Sequence, residues 1–277
     1  MADEHQPGIA PRIFPIHTIE QPGNNSVSYS PERGGIITSL KLSGQELLYL
    51  DEATFKNPAI SVKGGVPIMF PNAGPIEDPR FPGLKQHGFC RTTDRWQAQQ
   101  TENGFSEVLI ADEETKKVYP YDFKFEVRGT LNPDGSFTLE QFITNPSTRL
   151  DLPVSSGFHP YFRVDKDEKE KIKFDFPGGA EIEKAVTDWA HDKAVFAANP
   201  GVDQPGTEIK VIIPSVGTLV MKYSVEYKRI WIWSLPGKDF ACIEPVMRNP
   251  GGLTENPEII KPGETLHTSV NIRLIKN

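Results

Sequence analysis

"FKFEVRG", residues 123–129, sets Phe123, Phe125 and Val127 on one side of an extended chain and Lys124, Glu126 and Arg128 on the other. Successive side chains of a strand point to opposite faces, so this stretch reads as a strand with one face buried and one in water. The same period of two runs through "SFTLEQFIT" (136–144), "KIKFDF" (171–176), "TLVMKYSVEY" (218–227) and "TSVNIRLI" (268–275). "RIWIWSL" (229–235) is apolar on both faces and is expected at the centre of a sheet. "NPDGS" (132–136) has hairpin-turn chemistry, and 23 glycines and 25 prolines punctuate the chain between short segments. No helical period is sustained. The expectation is an all-β fold, a large antiparallel β-sandwich or barrel-like double sheet, with residues 1–277 as a single domain. The charged "DKDEKEK" (165–171) reads as a solvated loop.

Bulk properties narrow the function classes. A net charge of −7 and a pI near 5.5 provide no positive field for nucleic acid or anionic lipid. The opening "MADEHQPGIAPRIFPIH" lacks the basic and apolar regions of a leader, and no run of about 18 apolar residues is present for a membrane span. A cytoplasmic protein is expected. Two cysteines, Cys90 and Cys242, make neither a disulfide framework nor a four-ligand zinc site, although a single bridge between them stays open.

Four stretches depart from strand-and-turn design. In "VKGGVPIMFPNAGP" (62–75), Gly64 and Gly65 permit positive φ or the close approach of another group, without the spacing of a nucleotide-binding loop. "LKQHGFCRTTDRW" (84–96) gathers His87, Arg91 and Arg95 around a glycine. In "GFHPYFRV" (157–164), Pro160 keeps His159 extended, and the aromatic neighbours Phe158, Tyr161 and Phe162 suit equally a satisfied core histidine and one whose setting they shape on an accessible groove facing a sugar ring. In "DFACIEPVMRNPGG" (239–252), Glu244 ends an apolar run, where a carboxylate must find a donor or carry a raised pKa.

Taken together and in order, "KGGVPIMFPNAGP", "QHGFCR" followed by Trp96, "GFHPYF" and "WIWSLPGKDFACIEP" resemble the aldose 1-epimerase (galactose mutarotase-like) superfamily, in its hexose-6-phosphate 1-epimerase-like branch. The resemblance covers most of the chain. It implies a supersandwich with an open sugar groove and anomerisation without metal or other cofactor, acting on a small-molecule sugar or sugar phosphate. His159 matches the family's histidine before Pro-Tyr/Phe, Glu244 its glutamate before proline, and His87 its histidine before glycine. By the same resemblance Glu244 is the base, His159 the acid, and His87 a ligand of sugar oxygens. Asp203, in "NPGVDQPG", stands where members often carry a hydroxyl-binding aspartate. Members acting on hexose phosphates carry arginine before the Gly-Gly pair and after the HGF segment; here these are Lys63 and Arg91. Lysine lacks the planar fork of arginine, which leaves a neutral aldose and another phosphorylated sugar beside a hexose 6-phosphate. The competing readings are a non-catalytic carbohydrate-binding sandwich, a glycoside hydrolase pairing Glu244 with Asp203 or Asp239, and a metal-dependent cupin-like isomerase.

Overall fold

Two antiparallel sheets face one another across a continuous apolar core. The computed structural model describes residues 12–185, 192 and 194–276. The larger sheet has eight strands, in the order Lys173–Asp175, Ile209–Ile213, Gly217–Tyr223, Thr265–Ile275, Phe137–Thr144, Lys124–Leu131, Gly104–Ile110 and Gln97–Gln100. Phe123, Phe125 and Val127 are buried as their alternation requires, and the turn after Leu131 closes through Asn132 and Ser136, with Gly135 at φ +80°.

The second sheet runs Val195–Ala198, Arg229–Trp233, Phe240–Val246, Gly157–Phe158 and Ile68–Met69, with Tyr161–Arg163 also paired to Phe240–Val246. One of its faces closes the core with Ile68, Phe158, Phe162, Ile230, Ile232, Ala241 and Ile243. These pack against Phe125, Val127, Leu139, Leu219 and Met221 of the larger sheet. A four-stranded meander from His17–Gln21 to Gln45–Glu46 adjoins this body, tied to it by Tyr29 stacked on Phe105 at 4.2 Å.

Residues 165–171 are solvated as expected except at Lys169. Lys166–Lys171 form a short 3-10 helix, and Lys169 turns inward, donating to Ser234 Oγ at 2.7 Å and to the Leu235 carbonyl at 2.8 Å. Its charge is compensated by these acceptors and by the face of Phe240, 5.6 Å from its nitrogen. Burial lowers its pKa. Cys90 and Cys242 are both buried and unbridged, which settles the bridge left open by the sequence.

Candidate active site

The other face of the second sheet lines a groove that gathers most of the residues singled out by the sequence. Along Phe240–Val246 the residues Ala241 and Ile243 enter the core, so Phe240, Cys242, Glu244 and Val246 face away from it. The same parity puts Trp231 and Trp233 on the outer face of their strand, with Trp231 opposite Glu244 and Trp233 opposite Cys242. "RIWIWSL" is therefore central, as expected, but its second apolar face is a groove wall. His159 sits between two short strands, its backbone N–H donating to the Pro67 carbonyl at 3.0 Å. Phe158 and Phe162 belong to the core; of the three neighbouring aromatics only Tyr161 shapes the setting of His159, stacked on it at 4.7 Å and 12°.

The groove, about 400 Å³, is walled by Tyr161, Phe196, Trp231 and Trp233, and its polar lining includes Lys63, His87, Arg91, His159 and Glu244. At its floor His159 Nε2 lies 3.5 Å from Glu244 Oε1. Both side chains are almost wholly buried, against the expectation of an accessible histidine. Burial pushes the Glu244 carboxyl well up. Burial also pushes the His159 imidazole well down, helped by His87, Arg91 and Lys63 nearby. Both shifts favour the neutral form of each group. Among the described residues, His159 Nδ1 and Glu244 Oε2 have no hydrogen-bond partner.

His87 is held by its backbone. It sits at φ +65° and is followed by Gly88 at φ +72°, two consecutive left-handed residues. A Cβ on Gly88 would lie 1.8 Å from the Phe70 carbonyl oxygen, so the dipeptide needs its glycine. The His87 N–H donates to the Gly74 carbonyl while its Nδ1 accepts from the Gly74 N–H, both at 3.1 Å. An accepting Nδ1 leaves the proton of a neutral imidazole on Nε2. Burial, then Arg91 and Lys63, lowers the His87 pKa to about 3, so the ring stays a neutral donor. Its Nε2 lies 3.1 Å from the side-chain amide of Gln86, which accepts this N–H only with its oxygen turned toward the ring and must give it up when a ligand oxygen takes its place.

Lys63 follows the same logic of close approach: a Cβ on Gly65 would lie 2.2 Å from the Ile37 carbonyl oxygen, and the tight passage leaves Lys63 at the rim. Its Nζ stands 5.3 Å from the centre of the Trp233 ring. Arg91 donates to the Gln86 carbonyl at 3.0 Å, and burial lowers its pKa. Neither cation is ion-paired to a carboxylate among the described residues, whereas Arg95 pairs with Asp112 outside the groove.

Asp203 stands apart from the groove. It lines a second cavity, with Lys228, Arg229 and Arg248, and is absent from the lining of the first, because the chain turns away through the short helix Pro200–Val202. Asp239 accepts from the Lys166 N–H and does not line the groove either. The neighbour of Glu244 is an imidazole, not one of the two carboxylates that a glycoside hydrolase reading would pair with it. Trp231, Trp233 and Gln86 were missed as site residues; the period-two tryptophans were the available signal.

The two-sheet body is the fold of several solved galactose mutarotase-like proteins. Its shape matches Slr1438 of Synechocystis sp. PCC 6803 at a TM-score of 0.75, with 24% identity and coverage of 99% of this chain and 100% of that one. It matches a galactose mutarotase related enzyme of Lactobacillus acidophilus at 0.72, with 20% identity over 94% and 97% of the two chains. The chain belongs to the aldose 1-epimerase family, whose sequence profile matches residues 15–186 and so includes His87 and His159 but stops before Glu244. A curated relative from Cenchrus ciliaris, named "Putative glucose-6-phosphate 1-epimerase", is 28% identical over 152 residues, 50% of this chain and 44% of its own length. One of the same name from Escherichia coli K12 is 30% identical over 139 residues, 48% and 43% of the two lengths. The matched stretches thus span under half of these relatives.

Proposed function

We propose that the protein interconverts the α and β anomers of a hexose, with a hexose 6-phosphate as its preferred substrate class. The observation that carries this reading is the buried His159–Glu244 pair, 3.5 Å apart, on the floor of a groove that also holds two cations, Lys63 and Arg91, with no ion-paired carboxylate among the described residues. Anomerisation needs a proton removed from the C1 hydroxyl and a proton given to the ring oxygen. The ring opens, the C1 carbonyl turns its other face, and the reverse transfers close it. One base and one acid complete the cycle.

Glu244 takes the hydroxyl proton and His159 supplies the ring-oxygen proton. In the free groove burial favours the arrangement with both groups neutral. Moving one proton from Glu244 to His159 gives the reactive ion pair at unchanged net charge. A sugar hydroxyl donating to Glu244 stabilises its anion, and a ring oxygen accepting from His159 stabilises its cation. A phosphate adds a second push. Arg91 and Lys63 depress His159, so a dianion resting on them relieves that repulsion and raises the proton affinity of the acid. His87 Nε2–H donates to sugar oxygens, and the aromatic walls take the apolar faces of the ring.

Two-dimensional exchange NMR across free and 6-phosphorylated hexoses tests the reading. Exchange cross-peaks between anomers, growing with enzyme concentration, are expected, and Arg91→Ala should reduce kcat/KM at least about ten-fold more for the phosphorylated sugar than for the free one. Absence of catalysed exchange for every sugar removes the enzyme reading and leaves a binding protein. Equal losses for both sugars remove the phosphate assignment alone.

A further inference from the structure

Three donor atoms of different chemistry meet on the groove floor. A ring nitrogen of His159, the sulfur of Cys242 and a carboxylate oxygen of Glu244 all lie within 4.8 Å of one another, on three buried side chains. Strand parity places the thiol there: Cys242 precedes Glu244 by two residues on the same face, opposite Tyr161 of the adjoining strand. Anomerisation has no use for a thiol, and His159 Nδ1 and Glu244 Oε2 remain unpartnered among the described residues.

We propose that His159, Cys242 and Glu244 form a binding site for a thiophilic divalent cation, zinc being the biological representative, and that its occupation silences the groove. The binding half of this inference stands by itself; the silencing half rests on the epimerase reading above.

Three atoms no more than 4.8 Å apart fit within a circle of radius about 2.8 Å, and zinc bonds to such donors are about 2.0–2.3 Å long. Small side-chain rotations complete the approach. Charge favours the combination. A bare cation would be unwelcome near Lys63 and Arg91, but a divalent ion held by one thiolate, one carboxylate and one neutral imidazole is a centre of zero net charge. Binding releases the thiol proton, and the carboxyl proton where present, to water. Thiolate and imidazole ligation selects zinc over magnesium or calcium, which prefer oxygen shells. Three protein ligands leave a fourth position for water or a sugar oxygen. Glu244 and His159, once ligated, can no longer exchange a proton with substrate.

Cobalt(II) is the probe, because thiolate ligation gives it an intense near-ultraviolet charge-transfer band. Added to the purified full chain, it should produce that band to one equivalent, and zinc should erase the band by displacement. Anomer exchange should fall with zinc in the same proportion, recover with EDTA and be unaffected by magnesium. In Cys242→Ser, shown folded by circular dichroism, the band should be absent and the zinc concentration for half-inhibition at least ten-fold higher, whatever rate the variant starts from. Absence of the band in the wild-type chain overturns the site without recourse to any variant. Its persistence in folded Cys242→Ser overturns it as well, by assigning the band to Cys90. A Cys242-dependent band in a chain that catalyses no anomer exchange supports the site and overturns the activity instead.

Discussion

Glu244 and His159 are each pushed by burial away from their ionised forms, and each is the other's nearest charge partner at 3.5 Å. Replacing Glu244 by glutamine keeps the shape of the floor and removes the acceptor. Anomer exchange should drop by about 10²–10⁴ while sugar affinity, read by calorimetry, changes little; a rate within about two-fold of wild type would take Glu244 out of the mechanism. The cations above the pair supply a second expectation. Inorganic phosphate should move the NMR titration of His159 to higher pH, and the Lys63→Met/Arg91→Leu double variant should start from a raised midpoint and lose the response. An unmoved midpoint would break the proposed coupling. His159, His87, Lys63 and Glu244 each stand beside a proline or glycine, where a polar side chain needs a reason, whereas Arg91 has no such neighbour and its role came from the family resemblance alone. Trp231 and Trp233 were read as packing because alternation reports two apolar faces without saying whether protein or ligand covers the second. Asp203 had no such local reason, and it lies elsewhere.

Among elements, the turn at His87–Gly88 concentrates the most constraint. Gly88→Ala adds a methyl group 1.8 Å from a carbonyl oxygen at φ +72°. It should cost about 3 kcal/mol or more in urea unfolding. The folded fraction should also lose sugar affinity, because the Gly74–His87 hydrogen bonds fix the donor. Equal stability of variant and wild type would mean that the loop re-forms without its glycine. Strands of seven or more residues, such as Lys124–Leu131 and Phe137–Thr144, were visible in the sequence through their alternation. Gly157–Phe158, Ile68–Met69 and Tyr161–Arg163 were not, since two or three residues carry no period. The 3-10 helix Lys166–Lys171 escaped for a different reason: a charged run signals water unless one lysine finds buried acceptors, as Lys169 does.

At the scale of the whole molecule, buried titratable groups set how stability varies with pH. His87 is lowered from 6.5 to about 3, chiefly by burial. Its folded form therefore resists protonation, and the stability present above pH 6.5 is lost as pH falls toward 3. Glu107 is raised from 4.5 to about 8 by burial and then by Glu32, and both its oxygens lack partners. Stability present below pH 4.5 is lost as pH rises toward 8. Each group contributes a slope of about 1.4 kcal/mol per pH unit. His159 and Glu244 act in the same two directions. Between pH 4.5 and 6.5 the slopes oppose one another, and the melting temperature should peak there. Glu107→Gln should flatten the alkaline side; a profile as steep as that of wild type above pH 6.5 would exonerate Glu107.

Phe240–Val246 gives alternate residues to the core and to the groove, Ala241 and Ile243 on one side, Cys242 and Glu244 on the other. Insertion or deletion of a single residue within that strand would swing the carboxylate into the apolar interior and an isoleucine into the sugar site, so foldability and chemistry would fail in one step. A change of length is absorbed more easily between strands, or by a bulge such as the register shift at Ser28–Tyr29. Lys63, His87 and Arg91 stand outside the strands and are free of that parity constraint, whereas Glu244 shares its strand with the core.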